Sequence, residues 1–180
     1  MQEISWKDNL RIAWFGCFLT GASISLVVPF MPIFVEQLGV KGDQVAFYSG
    51  LAISVSAISA AFVSPIWGIL ADKYGRKPMM IRAGLAMTIT MGGLAFVPNV
   101  FWLLFLRFLN GVFTGFVPNA TALIASQVPK DRSGYALGTL STGVVAGTLT
   151  GPFVGGFIAE IFGIRNVFLW LVVSCSWQLS

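Results

Sequence analysis

The 180 residues are 56% apolar and only 10% charged, with 11 Lys+Arg, 7 Asp+Glu, no His, a formal charge of +4 and a mean hydropathy of +0.83. Disorder is excluded, because it needs low hydrophobicity and high charge. A soluble globule of this size would lack the polar groups to cover its surface, and histidine catalysis and histidine-ligated metals are excluded outright. Cys17 and Cys175 sit in apolar runs without a C-x-x-C spacing and read as small buried hydrophobes.

Stretches free of Asp, Glu, Lys and Arg cover 12–35, 44–71, 83–106, 108–129, 133–159 and 166–180. Five exceed the ~20 residues that a helix needs to cross a ~30 Å hydrocarbon layer. Runs such as WLLFL do not alternate, which argues against a barrel of ~10-residue strands. The chain therefore reads as an all-α integral membrane protein with spans at about 12–35, 45–71, 79–97, 100–128, 134–158 and 164–179.

Span 1 follows Lys7 and Arg11 and carries Pro29-Phe-Met-Pro32 towards its far end. Its 24 uncharged residues exceed the 7–15 apolar residues of a signal peptide, so an uncleaved span is expected. The two prolines free backbone carbonyls and permit a bend. Span 2 runs into the loop 68–77, Gly-Ile-Leu-Ala-Asp-Lys-Tyr-Gly-Arg-Lys, where Gly68 and Gly75 allow a tight turn and close helix approach. Asp72 beside Lys73, Arg76 and Lys77 suits a charge network at the membrane surface, or a solvated topology anchor. Pro98-Asn99 is a turn signal separating span 3 from span 4.

Arg107 lies inside span 4, where a charge costs about 2.5–3.5 kcal/mol on insertion scales unless it faces a cavity or a partner. Snorkelling to the interface is the competing reading. Asn110, Thr114 and Thr121 follow at helical spacing and favour a polar cavity stripe. Span 5 carries Gly143, Gly147, Gly151 and Gly155 at every fourth position, with Pro152 and Gly156 alongside, leaving one face bare for close helix contact. Span 6 has only 15 uncharged residues, ~22 Å of helix at 1.5 Å per residue, and reads as truncated.

With the N-terminus cytoplasmic, Lys7, Arg11, Lys73, Arg76, Lys77, Arg82, Lys130 and Arg132 fall inside and only Lys41 and Arg165 outside. That bias sets a cytoplasmic N-terminus in the cell membrane and accounts for the positive charge without nucleic acid. The loop 68–77 recurs at 156–165 as Gly-Phe-Ile-Ala-Glu-Ile-Phe-Gly-Ile-Arg, an offset of 88, and Pro29 and Pro118 are 89 apart. The two loop copies lie on opposite sides of the membrane, the pattern of a 3+3 inverted repeat.

The pattern Gly68-x-Leu-Ala-Asp72-x-x-Gly75-Arg76-Lys77 resembles motif A of the major facilitator superfamily, and Arg107-x-x-Asn110-Gly111 resembles its motif B, with Asn where Gln is usual. Gly147-x-x-x-Gly151-Pro152-x-x-Gly155-Gly156 resembles the antiporter motif C, and Pro29 with Pro32 resembles the proline motif of span 1 in the 12-span drug:H⁺ antiporters. Together these motifs resemble the N-terminal half of Gram-positive multidrug and fluoroquinolone efflux proteins. The resemblance implies a six-helix half of a major facilitator fold whose C-terminal half is absent from residues 1–180. It further implies a gating latch at Asp72 and Arg76, and proton coupling through Arg107 with Asn110, Gly111 and Thr114 around it.

The expected function is proton-coupled efflux of drugs or other amphipathic molecules, with membrane lipid, drug substrates and the C-terminal half as partners. The proton gradient is the energy source, with no cofactor and no metal. Alternatives are a transport-incompetent fragment, inert or pairing through its glycine face with a second copy, or an exporter of sugars or metabolites. Glu36, Asp72 and Glu160 all lie at span ends, so no proton-carrying acid is placed mid-membrane, and Met87, Met91 and the phenylalanines suit either an adaptable pocket wall or, as is commoner, contact with lipid and neighbouring helices. No phosphate loop or nucleophile constellation is present, so an enzyme is not expected.

Overall fold

In the computed structural model, residues 6–162 are described, except for the side chains of residues 159 and 162. Six α-helices and one 3₁₀ turn account for nearly all of them: α1 Trp6–Gln37, α2 Gln44–Tyr74, α3 Arg76–Leu94, α4 Val100–Phe113, α5 Phe116–Gln127, the turn Lys130–Arg132, and α6 Ser133–Phe162. There is no strand among the described residues. The expected span 164–179, Arg165 and Cys175 lie outside them. Four segments are long and apolar enough to cross a membrane, at 6–37, 44–74, 100–127 and 130–158. Helix α3, with Arg76, Lys77 and Arg82 in its first seven residues, is not among these.

Local chemistry sets the ends of the helices. Gly75, at φ +96° and ψ 151°, is the single residue joining α2 to α3. That conformation is essentially restricted to glycine, which explains the residue's place in the loop 68–77. Asn99 caps α4, its side-chain oxygen accepting from the Trp102 N–H at 3.1 Å, so the Pro98-Asn99 signal marks the start of a helix. Helix α1 continues through Pro29 and Pro32.

One expectation is corrected. Span 4 is two helices, broken at Thr114 and Gly115, where Thr114 is extended and Gly115 has φ +136°. Pro118 and Gly115 together account for the break: the proline has no N–H for the Thr114 carbonyl, and the glycine can take the φ of +136° that turns the chain there. In the first turn of a new helix the same proline leaves no donor unsatisfied.

The helices run alternately between two ends. The connection 38–43 meets the start of α4 at one end. At the other, the Asn9 side chain donates to Gln127 at 2.9 Å, and Leu10, Ala83, Ile124, Val128 and Ala136 pack together. A second cluster, including Leu26, Met31, Phe34, Met91, Leu94 and Leu103, fills the end nearer 38–43. Met87 and Met91 belong to this second core and not to a pocket wall. The surface is apolar, with Phe62, Phe101 and Phe153 exposed to 78%, 78% and 82%. Exposed apolar surface on this scale is uncommon in water-soluble chains and suits contact with lipid.

Pairing follows the repeat. Helix α1 lies along α6, and α2 along α4. The offset of 88–89 residues carries Ala22 to Gly111 and Ser59 to Gly147. A Cβ at Gly147 would strike the Phe18 carbonyl and the Ala22 N–H, and one at Gly111 would strike Ser59 Oγ and the Ser56 carbonyl. The two closest helix approaches are thus the same contact, made once in each copy.

Candidate functional site

The described helices leave a cleft of about 640 Å³ between α1, α2 and the break in span 4. Its wall on α2 is smooth, made by Ala57, Ala60, Ala61, Ser64 and Gly68. Thr20 and Ile24 of α1 face it, and Thr114, Gly115, Pro118 and Asn119 close the third side. Asp72 and Arg76 sit at its basic end, paired at 3.0 Å across one turn spanning Gly75. Both carry water-exposed surface, 70% for the Asp72 side chain and 32% for that of Arg76. An exposed pair of this kind contributes at most about 1 kcal/mol and is easily exchanged for another partner. Lys77 is exposed and outside the cleft lining.

The glycines of the loop behave differently. Gly75 is required by its backbone angles, whereas a Cβ at Gly68 would meet nothing within 4 Å. Gly68 therefore makes no close helix approach among the described residues, correcting the expectation for that position. It keeps the cleft wall open instead.

The polar stripe expected on span 4 is not continuous. Arg107 is buried to 6% exposure, so it does not snorkel. Its Nε and Nη2 are buried without a hydrogen-bond partner among the described residues. Asn110 turns towards α3, its amide donating to Thr90 Oγ1 at 2.9 Å. Thr121 donates to the Val117 carbonyl of its own helix. Of the stripe, only Thr114 is among the residues that line the cleft. Gly111 is the point where α4 meets α2, as described above, and no larger residue fits there.

The glycine face of α6 is fully used within the chain. Added Cβ atoms at Gly143 and Gly151 would lie 2.8 Å and 2.6 Å from the Trp14 and Ala22 carbonyls, and one at Gly155 would lie 2.6 Å from Leu26 Cγ. Trp14 Nε1 donates to Thr142 at 3.1 Å and Ser25 Oγ to the Thr148 carbonyl at 2.7 Å along the same seam. Helix α1 therefore occupies the face that was a candidate for a second copy. Gly156 is the exception in this motif, with open space where its Cβ would be, and Pro152 sits inside α6 without ending it.

One functional group was missed from the sequence. Arg82 of α3 lays its guanidinium over the Trp67 ring at 3.3 Å from the centroid and donates from Nη2 to the Phe113 carbonyl at 3.1 Å. Trp67 Nε1 donates to the preceding carbonyl, that of Val112, at 2.7 Å. The signal was available in the hairpin: Trp67 stands eight residues before Gly75 and Arg82 seven after it, so the two face each other at one height. Among the described residues no cluster of three His, Cys, Asp or Glu is placed to hold a metal.

Comparison with known proteins places this geometry. Residues 13–175 match the Major Facilitator Superfamily. The chain is 88% identical over 169 residues to the multi-drug resistance efflux pump PmrA of Streptococcus pneumoniae, covering 94% of this chain and 42% of the relative. It is 60% identical over 168 residues to the PmrA homolog of Lactococcus lactis, covering 93% and 42%. With the multidrug resistance protein MdtG of Proteus mirabilis the identity is 53% over 165 residues, covering 91% and 41%. The chain thus spans about two fifths of the length of the curated relatives it matches.

Proposed function

Since the chain belongs to the Major Facilitator Superfamily, we propose that it forms the N-terminal half of a proton-driven exporter of amphipathic drugs in the cell membrane, its N-terminus cytoplasmic. The observation carrying this reading is the one-sided cleft of about 640 Å³ beside the break in span 4, in a chain 88% identical to a multidrug efflux pump. The cleft is lined by apolar and small side chains together with the polar groups of Thr20, Ser64, Trp67, Asp72, Arg76, Thr114 and Asn119, a composition suited to an amphipathic molecule. A second half would face it and complete the path.

Arg107 fits the coupling role because a buried guanidinium without a partner makes ionic and proton-transfer states of its surroundings unequal in energy. Asp72 and Arg76 fit the gate because their exposed pair is weak enough to be traded for contacts with the other half. No bound cofactor is invoked; the proton gradient supplies the energy. The chain has no catalytic role in this reading.

The test is dye efflux from vesicles carrying the full-length protein that contains this segment. Gradient-dependent efflux is expected from that protein and none from the 180-residue chain alone, whose cleft is open on one side. Arg107→Ala should abolish dependence on the proton gradient. Efflux that persists in Arg107→Ala with the same gradient dependence would sink the coupling role, and strong efflux by the isolated chain would overturn the half-site reading.

A further inference from the structure

The break at Thr114 and Gly115 divides span 4 into pieces that share α3 as a neighbour and otherwise pack on different helices. Helix α4 packs on α2 and α3, whereas α5 packs on α1, α3 and α6. Three side chains of α2 bond to α4 carbonyls: Ser56 to Arg107 at 2.9 Å, Ser59 to Phe108 at 3.2 Å and Trp67 to Val112 at 2.7 Å. On the other side of the break, the Phe116 ring sits against Gly16 of α1, and Asn9 holds Gln127.

Ending a helix inside the membrane leaves its last carbonyls without N–H partners, a cost that other groups must offset there. At the end of α4 the Thr114 N–H serves the Gly111 carbonyl. Those of Val112 and Phe113 are served by the Trp67 indole and the Arg82 guanidinium, which are stacked on each other. The cation also lies at the negative end of the α4 dipole, where it is favoured. Arg82 and Trp67 thus form a cap supplied by other helices.

We propose that Arg82 is a positioning residue of the transport cycle: stacked on Trp67, it closes the end of α4 and fixes the piece of span 4 that bears Arg107 and Asn110 against α2 and α3, leaving Thr114 and Gly115 as the point where α5 can move relative to it. The inference rests on the transport reading above for its function, but its geometry is independent of it. The planar guanidinium is essential, because an ammonium cannot stack face to face on an indole while directing a fixed N–H to a carbonyl.

The experiment pairs local hydrogen exchange with efflux kinetics in the full-length protein reconstituted in lipid. Arg82→Gln should raise exchange of the amides at 114–119 about tenfold, the equivalent of ~1.4 kcal/mol. It should lower the maximal efflux rate about tenfold with the half-saturating dye concentration within ~2-fold, as expected when a step after binding is slowed. Arg82→Lys should resemble Arg82→Gln, and Trp67→Phe, which keeps a ring but loses the N–H, should raise exchange by a smaller factor of ~3. Should Arg82→Gln fail to accumulate, the other two variants carry the test. Parent-like exchange and efflux in Arg82→Lys overturn the proposal, as does slowed efflux in Arg82→Gln with unchanged exchange at 114–119. A parent protein that moves no dye overturns the transport reading and leaves the cap to be judged by exchange alone.

Discussion

Arg107 concentrates the energetic question of the molecule in one side chain. It is buried, it carries a charge, and its Nε and Nη2 have no partner among the described residues. Replacing such a group with an apolar side chain of similar volume is often neutral or stabilising by ~1–4 kcal/mol, whereas removing the partner of a paired charge is costly. Arg107→Leu should therefore leave the thermal midpoint of the full-length protein unchanged or higher while eliminating coupled efflux. A fall in midpoint corresponding to more than ~3 kcal/mol would mean that Arg107 holds the fold through a paired charge, the case in which loss is strongly destabilising. The residue scale was only partly legible in the sequence. An arginine in an uncharged stretch announces itself, but Arg82 did not, because it borders the basic loop and was counted as a topology anchor. Its role depends on Trp67 and on two carbonyls released by a break that hydropathy does not record.

At the scale of the helices, the same glycine motif holds two kinds of position. Gly147 touches the backbone of α1 at Phe18 and Ala22, which cannot move aside as a flexible side chain would. Gly156 meets open space in the same helix. Gly147→Leu should separate α1 from α6 and destabilise by about 3 kcal/mol or more, the upper end for overpacking, because the obstacle is backbone. Gly156→Leu should leave this half as stable as the parent, measured by thermal unfolding in detergent. Equal destabilisation by the two would contradict the packing described here. The four long apolar segments at 6–37, 44–74, 100–127 and 130–158 were readable because lipid imposes ~20 apolar residues on any helix that crosses it, and the Pro98-Asn99 turn because asparagine caps a helix directly. The division of span 4 was not. Its only marks are Gly115 and Pro118, and proline inside a transmembrane helix also occurs without a break, as Pro29, Pro32, Pro65 and Pro152 do here. What separates Pro118 is the glycine three residues before it, able to take φ +136° and so turn the chain into a fresh first turn.

For the molecule as a whole, the repeat and the distribution of charge make one joint demand. The alternating helices bring the start of α1, the α2–α3 link and the α5–α6 link to one end, gathering Lys7, Arg11, Lys73, Arg76, Lys77, Lys130 and Arg132 there, while the 38–43 connection holds Lys41 at the other. A positive end of this kind stays on the cytoplasmic side during insertion. Were the orientation reversed, those basic residues would all have to be translocated, and Asp72 and Arg76 at the basic mouth of the cleft would face outward. Single cysteines decide the matter. Cys17 is buried and supplies no background, and Cys175 is replaced by Ser so that any label reports the introduced site. In intact cells a membrane-impermeant maleimide should label Lys41→Cys, and should label Lys73→Cys and Lys130→Cys only after the membrane is permeabilised. Labelling of Lys130→Cys but not Lys41→Cys in intact cells would invert the topology and place the Asp72–Arg76 pair on the outer face. Equal labelling of all three would indicate that the half inserts in both directions, which the excess of basic residues at one end argues against. The expected pattern, obtained with all three positions, would fix the cleft as opening at its Asp72–Arg76 mouth towards the cytoplasm, the side from which an exporter must load.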